Sequence, residues 1–452
     1  MGPTNAATDT IGASEGPRTN VRWQIIVLLF IVTTIAYADR ATFSIAGAAA
    51  SKEMDLSPVA MGYILSAFAW AYVLGQVPGG ALLDRFGSKR VYGLAIALWS
   101  IFTLLQGVTA GLIGFTAVVV LFALRFLVGL AEAPSFPGNA RIVASWFPKS
   151  ERGTASAIFN SAQYFSLVAF APLMGWIAHS FHWRWVFIVM GVFGLVAAVG
   201  FVRFLHSPSA HPKVNKAELD YIESGGGLVH MDEVGHTSTS APSLFTWSNV
   251  RQLLTNRMMI GIYLAQYCIN VLTYFFATWF PIYLVKERGL NIMEAGFAAV
   301  APALCGFAGG VLGGFISDRL LKRTGSVTFA RKTPLLIGML LASSIIACVY
   351  IEQEWLVVTV MAIAFFGKGL ASLGWAVVSD TAPPSLAGVT GGVFNTFGNI
   401  AGIVTPIVIG YIVQGTGSFD GALIFVGAHC ALTIFAYFVI VGKIERLELK
   451  PA

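Results

Sequence analysis

The residues best suited to chemistry stand where charge is costly. Tyr37-Ala38-Asp39-Arg40 interrupts an apolar run from Trp23 to about Ala50, long enough to cross a bilayer, for which about 20 residues suffice. A charge at that depth costs roughly 2.5–3.5 kcal/mol on insertion scales. Two readings account for it. One is a self-neutralising pair that locks helix packing. The other is a watery site in which Arg40 holds an anion and Asp39 takes up a proton. Charges recur in other apolar runs, Arg125 and Glu132 in one and Lys368 in another, and this favours the second reading. A guanidinium holds a carboxylate through two parallel hydrogen bonds and stays charged at any relevant pH. A carboxylate in a low-dielectric site can load and release protons, so Asp39 and Glu132 are the proton candidates. Tyr37 precedes Arg40 by three residues and shares its helical face. Arg125 precedes Glu132 by seven, and is expected to pair with it and tune it, a static packing pair being the alternative.

Neutral polar groups complete the set. Lys368, Ser372, Trp375 and Ser379 are spaced four, three and four apart, so on a continuous helix they share one face. Gln266, Asn270 and Tyr274 form a similar stripe. Gln163, Asn395 and Asn399 add donors and acceptors suited to a row of hydroxyls, with Trp375 or Tyr72 available to cover a carbon chain. Enzyme chemistry has no such footing. The sequence contains no nucleophile–base pair, no metal-ligand spacing and no phosphate loop. Cys268, Cys305, Cys348 and Cys430 lie in apolar runs without CxxC spacing, so neither a metal site nor a disulfide framework is expected. No cofactor is expected either.

The elements that must hold these groups are membrane helices. Of the 452 residues, 56% are hydrophobic and 11% charged, against roughly 25% charged in a soluble domain. Continuous apolar runs rather than alternating ten-residue segments indicate helices and not a β-barrel. Twelve spans are expected, over 23–47, 58–82, 90–110, 112–138, 153–177, 183–205, 258–285, 293–317, 333–351, 356–382, 386–413 and 420–442. A disordered N-terminus (1–20) would precede a six-helix half (21–205). A polar linker (206–256), a second six-helix half (257–443) and a tail (444–452) would follow. Lys and Arg gather on the side of both termini, which the positive-inside rule assigns to the cytoplasm. The net charge of +6 reports that bias and does not suggest nucleic acid.

The two halves repeat. Gly80-Ala81-Leu82-Leu83-Asp84-Arg85 recurs as Gly314-Phe315-Ile316-Ser317-Asp318-Arg319, and Phe159-Asn160 recurs as Phe394-Asn395. Asp318 follows Asp84 by 234 residues and Asn395 follows Asn160 by 235, nearly one register. Two halves in the same orientation are implied, with a ligand site near the midplane between them.

Gly80-x-Leu82-x-Asp84-Arg85-x-Gly87-x-Lys89-Arg90 resembles the signature loop of the major facilitator superfamily. Tyr37-Ala38-Asp39-Arg40, Ala131-Glu132-Ala133-Pro134-Ser135-Phe136-Pro137, Ser145-Trp146-Phe147-Pro148, Phe159-Asn160-Ser161-Ala162-Gln163-Tyr164 and Gly391-Gly392-Val393-Phe394-Asn395 resemble its anion:cation symporter branch. Pro281-Ile282-Tyr283-Leu284, Phe365-Phe366-Gly367-Lys368-Gly369 and Gly374-Trp375-Ala376-Val377 are similar to the bacterial glucarate/galactarate members.

The resemblance implies an all-α membrane protein of twelve transmembrane helices in two halves. Its activity would be proton-driven import of a sugar diacid across the bacterial inner membrane. A galactonate or hexuronate symporter and an organic-anion exchanger are the alternatives. The implied partners are the sugar acid, protons and the bilayer, with the chain acting as a monomer. Arg40 would clamp one carboxylate, and Lys368 is expected to take the second. Galactonate transporters carry a neutral Asn at the matching place. Tyr37, Tyr72, Gln163, Gln266, Ser372, Trp375 and Asn395 complete the expected substrate contacts. Asp39, Glu132 and Arg125 would handle protons, and Asp84, Arg85, Arg90, Asp318 and Arg319 would form a cytoplasmic gate.

Overall fold

The computed structural model describes residues 17–109, 111–148, 151–231, 247–383 and 387–448. The expected disorder of the N-terminal segment concerns residues mostly outside this set, and the side chains of Asp84 and Ser379 also lie outside it. Inside a bilayer no water satisfies backbone N–H and C=O groups, so the apolar runs close their hydrogen bonds internally as helices. Among the described residues, twelve helical segments are long and apolar enough to cross a membrane.

The first half comprises α1 (Val21–Glu53), α2 (Pro58–Phe86), α3 (Ser88–Gly107), α4 (Gly114–Glu132) continued by α5 (Ser135–Trp146), α6 (Arg152–Ser180) and α7 (Trp183–Phe204). Helices α8 (Lys216–Ser224) and α9 (Trp247–Thr255) follow. In the second half, α10 (Arg257–Tyr274) passes through a π-turn at Phe275–Trp279 into α11 (Phe280–Lys286). The remaining α-helices are α12 (Ile292–Ala298), α13 (Val300–Thr324), α14 (Val327–Ala342), α15 (Glu354–Leu370), α16 (Gly374–Thr381), α17 (Ala387–Thr416) and α18 (Asp420–Phe435), with a 3-10 segment at Ser343–Tyr350 completing the span of α14 and a π segment at Ala436–Val441 that of α18. The turn between α2 and α3 is made by Gly87, whose φ of 80° favours glycine.

Two spans break well inside their expected length. The fourth breaks after Glu132, because Pro134 supplies no N–H and its ring excludes the carbonyl of the preceding turn. The chain then stays helical to Trp146. The tenth breaks at 371–373, where Ser372 N bonds to Gly369 O at 2.9 Å and Leu373 N to Ala371 O at 2.8 Å. Lys368 therefore precedes the break and Trp375 follows it, so the expected single polar face does not run the length of this span. Both breaks fall in the fourth span of their half and just after a buried charge, Glu132 or Lys368. Discontinuous helices at midplane leave backbone groups free to face a ligand.

The halves meet along α2 and α17, and along α6 with α12 and α13. The α2–α17 seam starts at the end opposite the termini, where Gly410 lies against the Pro58 carbonyl and Gly62 against the Pro406 carbonyl. It continues to Gln76 and Asn395, whose side chains bond at 3.3 Å. Beyond that, Gly80 and Gly392 face open space. The α6–α13 seam ends similarly. Tyr164 meets the Phe307 ring at 5.5 Å, and Gly314, further along, meets nothing. The two seams thus join the halves at one end and let them part toward the end that carries the termini.

The polar stretch after α7 is more than a tether. Glu218, fully buried, accepts from Val21 N (3.0 Å), Arg22 N (3.2 Å) and Thr19 Oγ1 (2.6 Å), so a residue of α8 caps α1. Arg22 also bridges to Glu151 at 2.9 Å, and Tyr221 donates to Glu151 at 2.8 Å. Arg152 reaches the Gly226 carbonyl at 2.7 Å. Ile222 and Val229 are buried in the core of the first half.

Candidate functional site

Successive residues on a helix point about 100° apart, and α1 uses this to send Asp39 and Arg40 to different surroundings. Asp39 is fully buried, with the Trp99 indole N–H acting on its carboxylate from outside ordinary hydrogen-bond geometry. Arg125 of α4 and Glu132 are the charges that act on it. Arg40 keeps a side-chain exposure of 21%, against zero for Glu132. Its Nε donates to Glu132 Oε1 at 2.7 Å and its Nη2 to the same oxygen at 2.5 Å. Glu132 Oε2 has no partner.

Aromatic rings cradle the guanidinium. Its carbon lies 4.6 Å from the Tyr37 ring centroid, and 4.8 Å from both Phe68 and Tyr72. Phe68 and Tyr72 stack on each other at 5.4 Å. Such cation–π packing favours the charged guanidinium in a poorly hydrated place and holds its fork in one orientation. Across the seam, Tyr274 of α10 is within electrostatic reach of Arg40, Tyr72 and Glu132. Its hydroxyl donates to Asn399 Oδ1 at 2.8 Å, and Asn399 donates to the Asn395 carbonyl at 2.9 Å.

The expected Arg125–Glu132 pair does not form. Seven residues on one helix separate two side chains by about 10.5 Å along the axis, too far for contact even on one face. Arg40 takes the carboxylate instead. Arg125 reaches the Arg40 carbonyl at 3.4 Å, while its Nε and Nη1 are buried without partners. Unpaired buried polar atoms are uncommon and call for a cause. Here they cluster on Asp39, Arg125 and Glu132.

On the second half, Lys368 is 9% exposed. Its ammonium lies 5.2 Å from the Phe365 ring, and no carboxylate bridges to it among the described residues. Phe365, one turn earlier, lines a small cavity between the halves together with Ser44, Leu167 and Phe276. Gln163 lies one turn before Leu167 on α6. Ser372 donates to the Lys368 carbonyl at 2.8 Å. Trp375 stacks edge-on against Phe394 at 5.1 Å, and Gln266 lies against Gly374 and Gly398. The structure therefore gathers Tyr37, Arg40, Tyr72 and Glu132 around one point. Gln266, Trp375 and Asn395 form a second group, on α10, α16 and α17.

Sequence reasoning missed Phe68 and Gln76. With Tyr72 they form a four-residue stripe on α2, and that spacing was the available signal. It also missed Arg331, which bonds to Asp380 at 2.8 Å, Ser317 at 2.8 Å and Asp318 at 3.3 Å. Asp318 thus has a partner within its own half. Arg85, Arg90 and Arg319 are exposed and join no ion pair across the halves among the described residues. Nor do three or more His, Cys, Asp or Glu gather there as a metal site would need.

The sequence pattern of the Major Facilitator Superfamily matches residues 29–330. The chain belongs to this family. Major facilitator relatives extend the match across its length. One is the "Probable galactarate/D-glucarate transporter GudP" of Bacillus subtilis (strain 168), 61% identical and covering 96% of this chain and 95% of the relative. The protein of the same name from Escherichia coli (strain K12) is 59% identical and covers 97% of each. Among solved structures, a bacterial homolog to the human lysosomal transporter Spinster, in an inward-facing and occupied conformation, aligns with a TM-score of 0.72. Its sequence is 16% identical and it covers 94% of this chain and 97% of that one, a likeness of fold. The chain is a multi-pass membrane transporter of the major facilitator fold.

Proposed function

We propose that this transporter imports a sugar diacid, galactarate or glucarate, with protons and by alternating access. The observation that carries the proposal is the Arg40–Glu132 pair. A guanidinium shaped to grip a carboxylate is held by one of the protein's own, at the boundary between the halves. A proton on Glu132 removes the charge that holds Arg40 and frees its fork for a substrate carboxylate. Deprotonation restores the pair and expels the substrate. Asp39 and Arg125, buried behind Arg40 with unpaired polar atoms, carry or tune the second part of the proton path.

Lys368 holds the other carboxylate. It is a buried cation without an acidic partner among the described residues. Gln163, Gln266, Ser372 and Asn395 address the hydroxyls between the two carboxylates. Tyr37 and Tyr72 fix the clamp, and Trp375 packs on the carbon chain. The names of the two relatives support the diacid. The bundle, joined at one end and parted at the other, corresponds to one of the two states that alternating access requires. Asp84, Arg85, Arg90, Asp318 and Arg319 close the parted end. The gathering of Lys and Arg near the termini supports a cytoplasmic location for that end, in a bacterial inner membrane.

The test is uptake of labelled glucarate into proteoliposomes, with and without an inward proton gradient. Accumulation above equilibrium that depends on the gradient, blocked by galactarate and not by galactonate, is the expected result. Uptake that only equilibrates, whatever the gradient, removes the coupling role of Glu132 and Asp39.

A further inference from the structure

A groove outside the transport path runs between α1 and α7 at the terminal end. Its lining is apolar: the partly exposed Leu28 and the almost fully buried Val21, Ile25 and Val32 follow one face of α1 at helical spacing, opposite Ala197 and Gly200 of α7. It encloses about 380 Å³. Val27 and Ile31, at its edge, are about half exposed, as side chains facing lipid are. The α1 wall from Val21 to Val32 is about 16 Å long, roughly half of a ~30 Å hydrocarbon core.

The mouth of the groove is cationic. Arg203 from the end of α7 and Lys213 from the following segment line it with His206 and His211. Neither the Arg203 nor the Lys213 side chain has an ion-pair or hydrogen-bond partner among the described residues. His211 Nδ1 accepts from Lys213 N at 3.2 Å, and its ring also interacts with the Phe204 carbonyl. Its ring is wedged between Trp146 and His206 at 5.4 and 5.5 Å. Burial, with the neighbouring His206 and Lys213, lowers the pKa of His211. Glu218 is an acid that acts on His211, and it is buried and engaged by Arg22.

We propose that this groove binds an anionic phospholipid, with the headgroup phosphate between Arg203 and Lys213 and an acyl chain along α1 over Gly200. Basic pockets between membrane helices suit anionic headgroups. A free anion would gain nothing from a wall of apolar side chains this long. Gly200 decides the chain's path, since a Cβ there would meet nothing within 4 Å and the space above it is open. The lipid would tie α1, α7 and the segment leading to α8 into one body.

Native mass spectrometry of the delipidated full-length protein, given equal amounts of phosphatidylglycerol and phosphatidylethanolamine, tests the proposal. Phosphatidylglycerol should be retained at least fivefold over phosphatidylethanolamine. Both R203A/K213A and G200L should bring that ratio near one, the first by removing charge and the second by filling the groove with every charge in place. Unfolding midpoints matched to the parent certify each variant. Equal retention of the two lipids by the unaltered protein overturns the proposal without recourse to any variant. So does an unchanged ratio in the double variant. Displacement of phosphatidylglycerol by inorganic phosphate would reassign the cations to a free-anion site and overturn it too.

Discussion

Arg40 Nε donates to Glu132 Oε1 at 2.7 Å, and this bond joins the first span to the end of a broken fourth one. In the proposed cycle it would link the residue that grips an anion to the residue that takes a proton, so the two events would compete for one contact.

Replacing Glu132 with Gln keeps the shape and removes the competition. Gradient-driven accumulation should disappear, while exchange of internal for external substrate should continue. Parallel counterflow and gradient assays in proteoliposomes separate the two. Loss of both activities would make Glu132 a structural partner of Arg40 only.

Arg40→Lys keeps the charge and loses the fork. Hydrogen bonds to charged groups are worth about 1.5–3 kcal/mol, so substrate affinity should fall about 10- to 100-fold. The expected readout is a higher half-saturation concentration for uptake in a variant that still folds.

Lys368→Gln should cost a diacid more than a sugar acid with one carboxylate. The ratio of the two transport efficiencies should drop by about 10-fold or more, the worth of one charged hydrogen bond. Equal losses for both substrates would remove the second clamp.

Gly62→Leu should wedge the halves apart at the end opposite the termini, because even a Cβ at Gly62 would meet Pro406 O at 2.5 Å and Ile407 Cα at 3.1 Å. Transport should stop while substrate binding remains. Thiol labelling of a cysteine placed near Tyr63 or Tyr411 should rise.

The pairing of Glu151 with Arg22 predicts a pH dependence of stability. Burial works to raise the Glu151 pKa, but hydrogen bonds from Arg22 and Tyr221 and the Arg22 and Arg18 charges outweigh it, and the pKa lies below the usual 4.5. A carboxylate depressed in the folded state stabilises above its unfolded pKa, and that contribution fades as pH falls through the folded value. Glu151→Gln should therefore lower the stability at pH 7, by about 1 kcal/mol or less, and with it the unfolding midpoint. It should have little effect once the pH is well below 4.5. Thermal unfolding in detergent across that range measures it.

The twelve spans were legible because a bilayer demands length and apolarity, and both are written residue by residue. Arg40 and Lys368 stood out for the same reason: charge in an apolar run is rare. The partner of Glu132 was not legible. Sequence spacing shows which residues share a helix face, but contact also depends on rise along the axis and on which neighbouring helix comes close. The break after Glu132 could be read from Pro134. That at 371–373 has no proline and follows from turn hydrogen bonds formed in place. The docking of α8 was hidden because Glu218 looks like any charge on a short amphipathic helix until the N-terminus of α1 meets it.

The two fourth spans break beside Glu132 and beside Lys368, which stand 236 residues apart, close to the register of the internal repeat. A chain made of two copies of one ancestral unit holds a spare of every position, and selection can alter one while the other keeps its task. Here the same stretch of the repeat carries an acid before its break in one copy and a base before its break in the other. A descendant that neutralised only the second copy would keep its acid at the first and read a ligand with one charge fewer. Duplication thus leaves the range of cargo open to change by a single codon.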